Sequence, residues 1–243
     1  MRQLIAGNWK MNGTSAEAAA LAAALRPGME GCDLLICPPA TQLVAVATAL
    51  VGTVVAVGGQ DCHAAPSGAH TGDISAPMLR DAGATWVIVG HSERRAEHHE
   101  TDAMVCEKAM AAKAAGLTPI VCVGESDAQR SSGQEHEVIG AQLAGSLPQD
   151  FRGVIAYEPL WAIGSGKSAS ESDVQTMHAF IRAELVRRFH RAGLVMRILY
   201  GGSVKPSNAA ELLALQDVGG VLVGGASLVA TDFLAIAHAA RRD

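Results

Sequence analysis

The chain has 243 residues, a formal net charge of −5 and 49% hydrophobic residues, which is enough to bury a sizeable core and excludes a disordered chain. No apolar run reaches the length of a membrane span and no basic block offers a nucleic-acid footprint, so neither a membrane nor a nucleic acid is an expected partner. The opening MRQLIAGNWKMNG lacks the apolar centre and cleavage site of a secretory leader, and five cysteines without a CxxC pair fit reduced thiols, so a cytoplasmic location is expected.

Taken in order, short β-rich apolar runs alternate with Ala-rich helical stretches. Strands are predicted at residues 4–6, 34–37, 54–57, 86–89, 119–123, 154–157, 198–200 and 221–223. Helices are predicted to begin near Ser15, Thr41, Ser75, Thr101, Gly133, Ser172, Ser207 and Thr231. Ser172 with Gln175 fits a capping box, and Val174, Ile181, Leu185 and Phe189 then follow one face. Gly116 and Gly193 stand where helix-ending glycines belong. Repeated βα units of about thirty residues imply a parallel sheet with crossover helices. The predicted fold is α/β, a closed (β/α)8 barrel forming one domain over residues 1–243. An open doubly wound sheet is the structural alternative.

A barrel builds its site where strands end and helices have not begun. Those junctions hold Asn8 and Lys10, then His91, Ser92 and Glu93, then Glu158, then Gly201, Gly202 and Ser203, and last Gly224 and Gly225. Glu158, directly after VIAY, is a candidate base whose proton affinity rises as water is excluded. Lys10 offers a cation, and at about 4 Å with an effective dielectric near 20 one opposite charge is worth about 4 kcal/mol before desolvation. His91, if a helical turn starts there, feels a dipole that disfavours imidazolium and favours a neutral donor. The two late glycine pairs suit main-chain binding of a phosphate. His98 and His99 lack the HExxH spacing, and no metal site is expected.

The stretch EPLWAIGSGKSAS mimics two other phosphate motifs. A nucleotide P-loop requires glycine where Trp161 stands. A dinucleotide fingerprint through Gly164, Gly166 and Ala169 must follow a strand directly, but residues 158–163 intervene. Both readings are weak, a loop that closes over a small phosphate is the third, and this stretch alone does not choose among them.

GNWKMN, TGDIS, VIVGHSERR, CVGE, AYEPLWAIGSGK, YGGSVKP and VGGASL run in one order across the chain, and as a set they resemble the triosephosphate isomerase family. The resemblance implies a homodimeric barrel interconverting dihydroxyacetone phosphate and D-glyceraldehyde 3-phosphate, without cofactor or metal. It implies Glu158 as base, His91 as neutral electrophile and Lys10 as cation, the pairing for which this family is itself a standard example. Asn8 then contacts substrate; Gly164, Ser203, Gly224 and Gly225 bind the phosphate or the substrate near it; Ser92, Glu93 and Arg94 organise the site. Residues 164–167 resemble the family's lid, hinged at 159–161 and 167–169, and Thr71 resembles a residue reaching the partner's site. Two departures stand out. Ser165 replaces the usual lid threonine, and His70 replaces a residue more often aromatic hydrocarbon, which makes an acid-sensitive dimer an expectation. A phosphate-binding barrel without isomerase activity is the alternative function. A P-loop hydrolase is opposed by Trp161, and another phosphosugar barrel would share the glycines but not the catalytic set.

Overall fold

In the computed structural model, which describes residues 2–162 and 169–240, eight parallel strands close into a barrel in chain order. They are β1 (Gln3–Asn8), β2 (Cys32–Cys37), β3 (Ala56–Gly59), β4 (Trp86–Val89), β5 (Thr118–Val123), β6 (Val154–Tyr157), β7 (Ile198–Tyr200) and β8 (Gly220–Val223). Closure is made by β1 against β8, with Ala6 paired to Leu222. The open-sheet alternative is thereby overturned: no strand among the described residues is left as an edge.

Side-chain alternation along each strand sorts the core into two layers. Leu4, Ala6, Leu35, Cys37, Ile88, Ile120, Cys122, Ala156, Leu199 and Leu222 fill the barrel interior as one buried cluster. Their neighbours Ile5, Ile36, Val87, Val121, Ile155 and Val221 face outward into the larger cluster under the helices. Each fully buried Leu, Ile or Val contributes roughly 1.5–3 kcal/mol relative to exposure, so this double layer fixes the strand ends on which the site is built.

One strand departs from its expected position. The predicted run 54–57 shifts to Ala56–Gly59, and Val54 is 75% exposed. The glycines that hide this strand from propensity are required by packing. A Cβ on Gly58 would lie 2.9 Å from Cys37 Sγ, and one on Gly59 would lie 2.7 Å from Leu79 Cδ1.

Ten α-helices occur among the described residues: α1 (Ser15–Ala24), α2 (Leu43–Ala49), α3 (Ala76–Asp81), α4 (Ser92–Glu97), α5 (Asp102–Ala114), α6 (Asp127–Ser131), α7 (Glu135–Ser146), α8 (Glu171–Phe189), α9 (Ala209–Ala214) and α10 (Ala230–His238). Gly133 separates α6 from α7 with φ of +72°, so it ends one helix rather than opening the next. The cap of α8 is Ser170 with Asp173, not Ser172 with Gln175. Asp173 accepts the Ser170 N–H at 3.1 Å, whereas Gln175 is engaged by the main chain of Gln216. Gly116 takes the expected positive φ at +76°, but after α8 it is His190, at +52°, that has the positive φ in place of Gly193. Gly193 is small for another reason: a Cβ there would lie 2.2 Å from Leu185 O.

Candidate active site

A cavity of about 700 Å³ opens at the C-terminal ends of the strands, the end where barrels of this type place their chemistry. Asn8, Lys10, His91, Glu158, Ser203, Gly224 and Gly225 all line it. Ser92 and Glu93 adjoin it through contacts to those residues, whereas Thr71 lies on an exposed loop after β3, outside the cavity lining. Gly164, the Ser165 departure and the lid expectation lie outside the described residues.

Lys10 is held by its main chain. It is a non-glycine residue in the left-handed region, with φ of +51°, a conformation that must be over-determined by its surroundings. Asn8 Oδ1 accepts the Lys10 N–H at 3.0 Å, and Gln60 Nε2 donates to Lys10 O at 2.9 Å and to Cys37 O at 2.8 Å. The ammonium pairs with Glu93 Oε1, and the side-chain stem passes Gly224, where an added Cβ would lie 3.6 Å from Lys10 Cε.

His91 caps the short helix α4. Its Nδ1 accepts the Glu93 N–H at 3.2 Å, and its Nε2 lies 2.8 Å from Glu158 Oε1. Glu158 is 2% exposed, and its second oxygen accepts the Ser92 N–H at 2.9 Å. Burial opposes charge on both groups, yet their mutual attraction prevails: the carboxyl is held below its ordinary value and the imidazole above its own. That balance depends on the pair staying together. An imidazolium has no lone pair at Nδ1, so the N–H of Glu93 favours the neutral ring with its proton on Nε2. Taken singly, burial is the largest influence on each group, raising Glu158 and lowering His91, and their contact works against it.

Arg94 turns away from the cavity. It joins Asp61 at 2.9 Å and Glu100 at 2.6 Å, and Lys108 meets the same two carboxylates. These four side chains compensate one another in a partly buried cluster and Arg94 does not line the cavity, so the expectation that Arg94 organises the site is not matched by direct contact.

The other end of the cavity is main chain. Gly201 and Gly202 follow β7, and an added Cβ would lie 2.9 Å from Glu158 Cγ at the first and 2.2 Å from Tyr200 Oη at the second. Gly224 and Gly225 lead into a short 3-10 turn, Gly225–Leu228, whose Ser227 hydroxyl donates to Gly224 O at 2.7 Å. A Cβ on Gly225 meets nothing within 4 Å, so that position is open to a ligand. Beyond the cavity, Trp161 and Tyr157 donate to Glu125 Oε1 at 2.8 and 2.9 Å, which anchors the chain where the expected lid segment begins.

Gln60, Lys205 and Asp232 escaped sequence reasoning. Lys205 and Asp232 line the cavity; Lys205 follows the Gly201–Gly202 turn at the end of β7, which was a usable signal, whereas Asp232 sits in the first turn of α10, where an acidic residue reads as an ordinary helix-start charge. Gln60 carries no local pattern; its role exists only because β1 and β3 converge. Among the described residues one group has metal-like spacing, His63, His70 and Asp73, with donor atoms within 4.8 Å of one another. His63 Nδ1 already accepts the Ala65 N–H at 3.0 Å, which places the proton of a neutral ring on Nε2, the nitrogen that faces Asp73 at 4.0 Å, and the His63 and His70 rings pack at a tilt with centroids 4.0 Å apart.

Residues 3–240 match the family model described as triosephosphate isomerase. The chain is 61% identical to the triosephosphate isomerase of Acidiphilium cryptum over the whole of both chains. It is 60% identical to that of Granulibacter bethesdensis, covering 98% of this chain and 99% of the relative. The crystal structure of triosephosphate isomerase from Bartonella henselae superposes with a TM-score of 0.93 at 48% identity, over 98% of this chain and 99% of that one. This chain belongs to the triosephosphate isomerase family.

Proposed function

We propose that this chain is a triose-phosphate isomerase, a single catalytic domain over residues 1–243 that interconverts dihydroxyacetone phosphate and D-glyceraldehyde 3-phosphate. The observation that carries the reading is convergence: a buried carboxylate, an imidazole whose Nδ1 accepts a main-chain N–H, an ammonium and an open glycine turn share one cavity. The phosphate binds at Ser203, Gly224 and Gly225, with Gly164 from the lid, and its charge draws on Lys10. Asn8 contacts substrate and holds the Lys10 main chain. Ser92 and Glu93 support the site through the N–H groups that meet Glu158 and His91.

The resting contacts define what substrate must change. Both oxygens of Glu158 are engaged, so the carboxylate must leave His91 and Ser92 to reach carbon. Leaving them raises its basicity and returns His91 to a neutral donor. Glu158 then takes the proton from carbon 1 of the ketone, and His91 Nε2 with Lys10 stabilises charge on oxygen 2. The same carboxyl returns its proton to carbon 2, while His91 moves a proton from oxygen 1 to oxygen 2. Protons and electrons balance within the substrate, so the proposal assigns no cofactor or metal. A general base supplies typically 10²–10⁴-fold and an oriented electrophile about 10²–10³-fold.

The active unit is a homodimer in this reading, with Thr71 reaching the partner's site. Exposed Met11, Val44, Ile74 and Met78 support it, because they lie on segments after β1, β2 and β3 that a partner would cover. A cytoplasmic location belongs to the same proposal, and no helix among the described residues is long and apolar enough to cross a membrane. A phosphate-binding barrel without isomerase activity is not favoured, since the full catalytic set is present. Turnover of dihydroxyacetone phosphate by the purified protein, followed directly by NMR, is the test. Steady formation of glyceraldehyde 3-phosphate is expected; phosphate binding without turnover would favour the alternative.

A further inference from the structure

We propose that Gln142 is a positioning residue for Glu158, acting through the main chain of Gly124; the inference rests on Glu158 being the base. Beyond β5 the chain continues alongside β6. Val123 O accepts the Glu158 N–H at 2.8 Å and Glu125 O accepts the Leu160 N–H at 3.1 Å. Successive main-chain groups of an extended strand point to opposite sides, so the N–H and C=O of Gly124 face away from β6. Gln142, on α7, satisfies both. Its Nε2 donates to Gly124 O at 2.9 Å, and its Oε1 accepts the Gly124 N–H at 2.8 Å. One side-chain amide takes the place of one residue of a neighbouring strand.

Gly124 passes that constraint to the base. A Cβ on it would lie 1.9 Å from Glu158 O and 2.6 Å from Leu160 Cδ1, so its main chain rests directly on the segment carrying Glu158. Behind it the wall is not filled. A cavity of about 240 Å³ is lined by Ser92, Arg95, Gly124, Gln142 and Glu158 among others. Without the amide, the Gly124 peptide can relax into this space and water can satisfy its freed groups, so folding is preserved while the carboxylate loses its placement. A misplacement of about 1 Å far from the chemistry can cost about 10²-fold in rate. Gln175 on α8 spans the main chain of Gln216 in the same way, at 3.1 and 2.9 Å, where no reacting group is attached. It is an internal control.

The test is steady-state kinetics of the full chain with Gln142→Leu, Gln142→Glu and Gln175→Leu. Gln142→Leu is expected to lower kcat by about 10- to 100-fold, with KM and inhibition by inorganic phosphate unchanged; Gln175→Leu leaves kcat unchanged. In Gln142→Glu a neutral carboxylic acid can make both bonds, its O–H donating to Gly124 O, whereas the carboxylate repels that carbonyl. Its kcat relative to the unsubstituted protein therefore rises as pH falls from about 8 to about 5.5, the range of a buried glutamic acid. A purely structural role gives no such pH-dependent rescue. Unsubstituted kcat in Gln142→Leu, or a flat ratio for Gln142→Glu, overturns the proposal. If Gln142→Leu does not fold, the Gln142→Glu pH series decides alone. Full turnover in Glu158→Gln would instead remove the base on which the inference rests, a separate outcome.

Discussion

The two ends of the cavity are built from different materials. At the end formed by β1, β4 and β6, ionisable side chains hold one another: Lys10 with Glu93, His91 with Glu158, and main-chain N–H groups of α4 behind them. At the end formed by β7 and β8, glycines and a short 3-10 turn present main chain with open space above Gly225. The first end can change its proton affinities when its contacts are exchanged. The second cannot, and is suited to bind a fixed charge. The difference supports a reading in which rate rests mainly on one set of strands and affinity on the other, with Lys10 shared, and substitutions should separate them.

The sharpest break comes at Glu158. Glu158→Gln keeps the size and the two acceptor contacts in part but removes the base, so kcat is expected to fall by about 10³-fold with folding intact; a loss below tenfold in a steady-state assay contradicts the assigned role. Lys10→Met comes next, with a loss of about 10²-fold in kcat/KM and a visible rise in KM, because this cation serves both ends. An unchanged KM would count against its contact with the phosphate.

A third prediction separates titration of the scaffold from titration of the site. His178 is fully buried behind β6, its Nδ1 3.2 Å from Asp217 O, and burial pushes it down to about 4. Its folded value lies below the ordinary 6.5, so the unfolded chain binds the extra proton between these values. Its contribution to stability is complete above pH 6.5 and declines as pH falls toward 4, by about 1.4 kcal/mol per pH unit at most. Urea midpoints at pH 7 and pH 5 should show this, and His178→Gln should flatten it; an equal slope in the variant rules His178 out as the source. The smallest effect belongs to the main-chain end. Gly225→Ala has room for its methyl in the free protein, so it should fold normally and raise KM about tenfold by occupying ligand space, with kcat nearly kept. A fall in kcat alone would blur the division between the two ends.

The same contrast explains what was legible in the sequence. Alternating apolar runs announced the barrel because burial on both faces leaves a continuous apolar signature, and strand-end polar residues announced Asn8, Lys10, His91 and Glu158. β3 was misplaced because Gly58 and Gly59, required by Cys37 and Leu79, erase the β-rich signal. The cap of α8 was misread because Ser170 and Ser172 both precede a suitable partner, and only tertiary contact with Gln216 removes Gln175 from the choice. Gln60 and Gln142 were invisible for the same reason. Each hydrogen-bonds the main chain of residues distant in sequence, and an amide does that without a local motif.

The central claim is that Glu158 moves a proton between neighbouring carbons of a triose phosphate. The most direct test is deuterium incorporation into dihydroxyacetone phosphate in heavy water, followed by NMR, for the unsubstituted protein and Glu158→Gln. Rapid incorporation together with glyceraldehyde 3-phosphate, both lost in the variant, is the expected result. Substrate binding without deuterium uptake in the unsubstituted protein would contradict the isomerase reading, and equal uptake in both proteins would contradict Glu158 as the base.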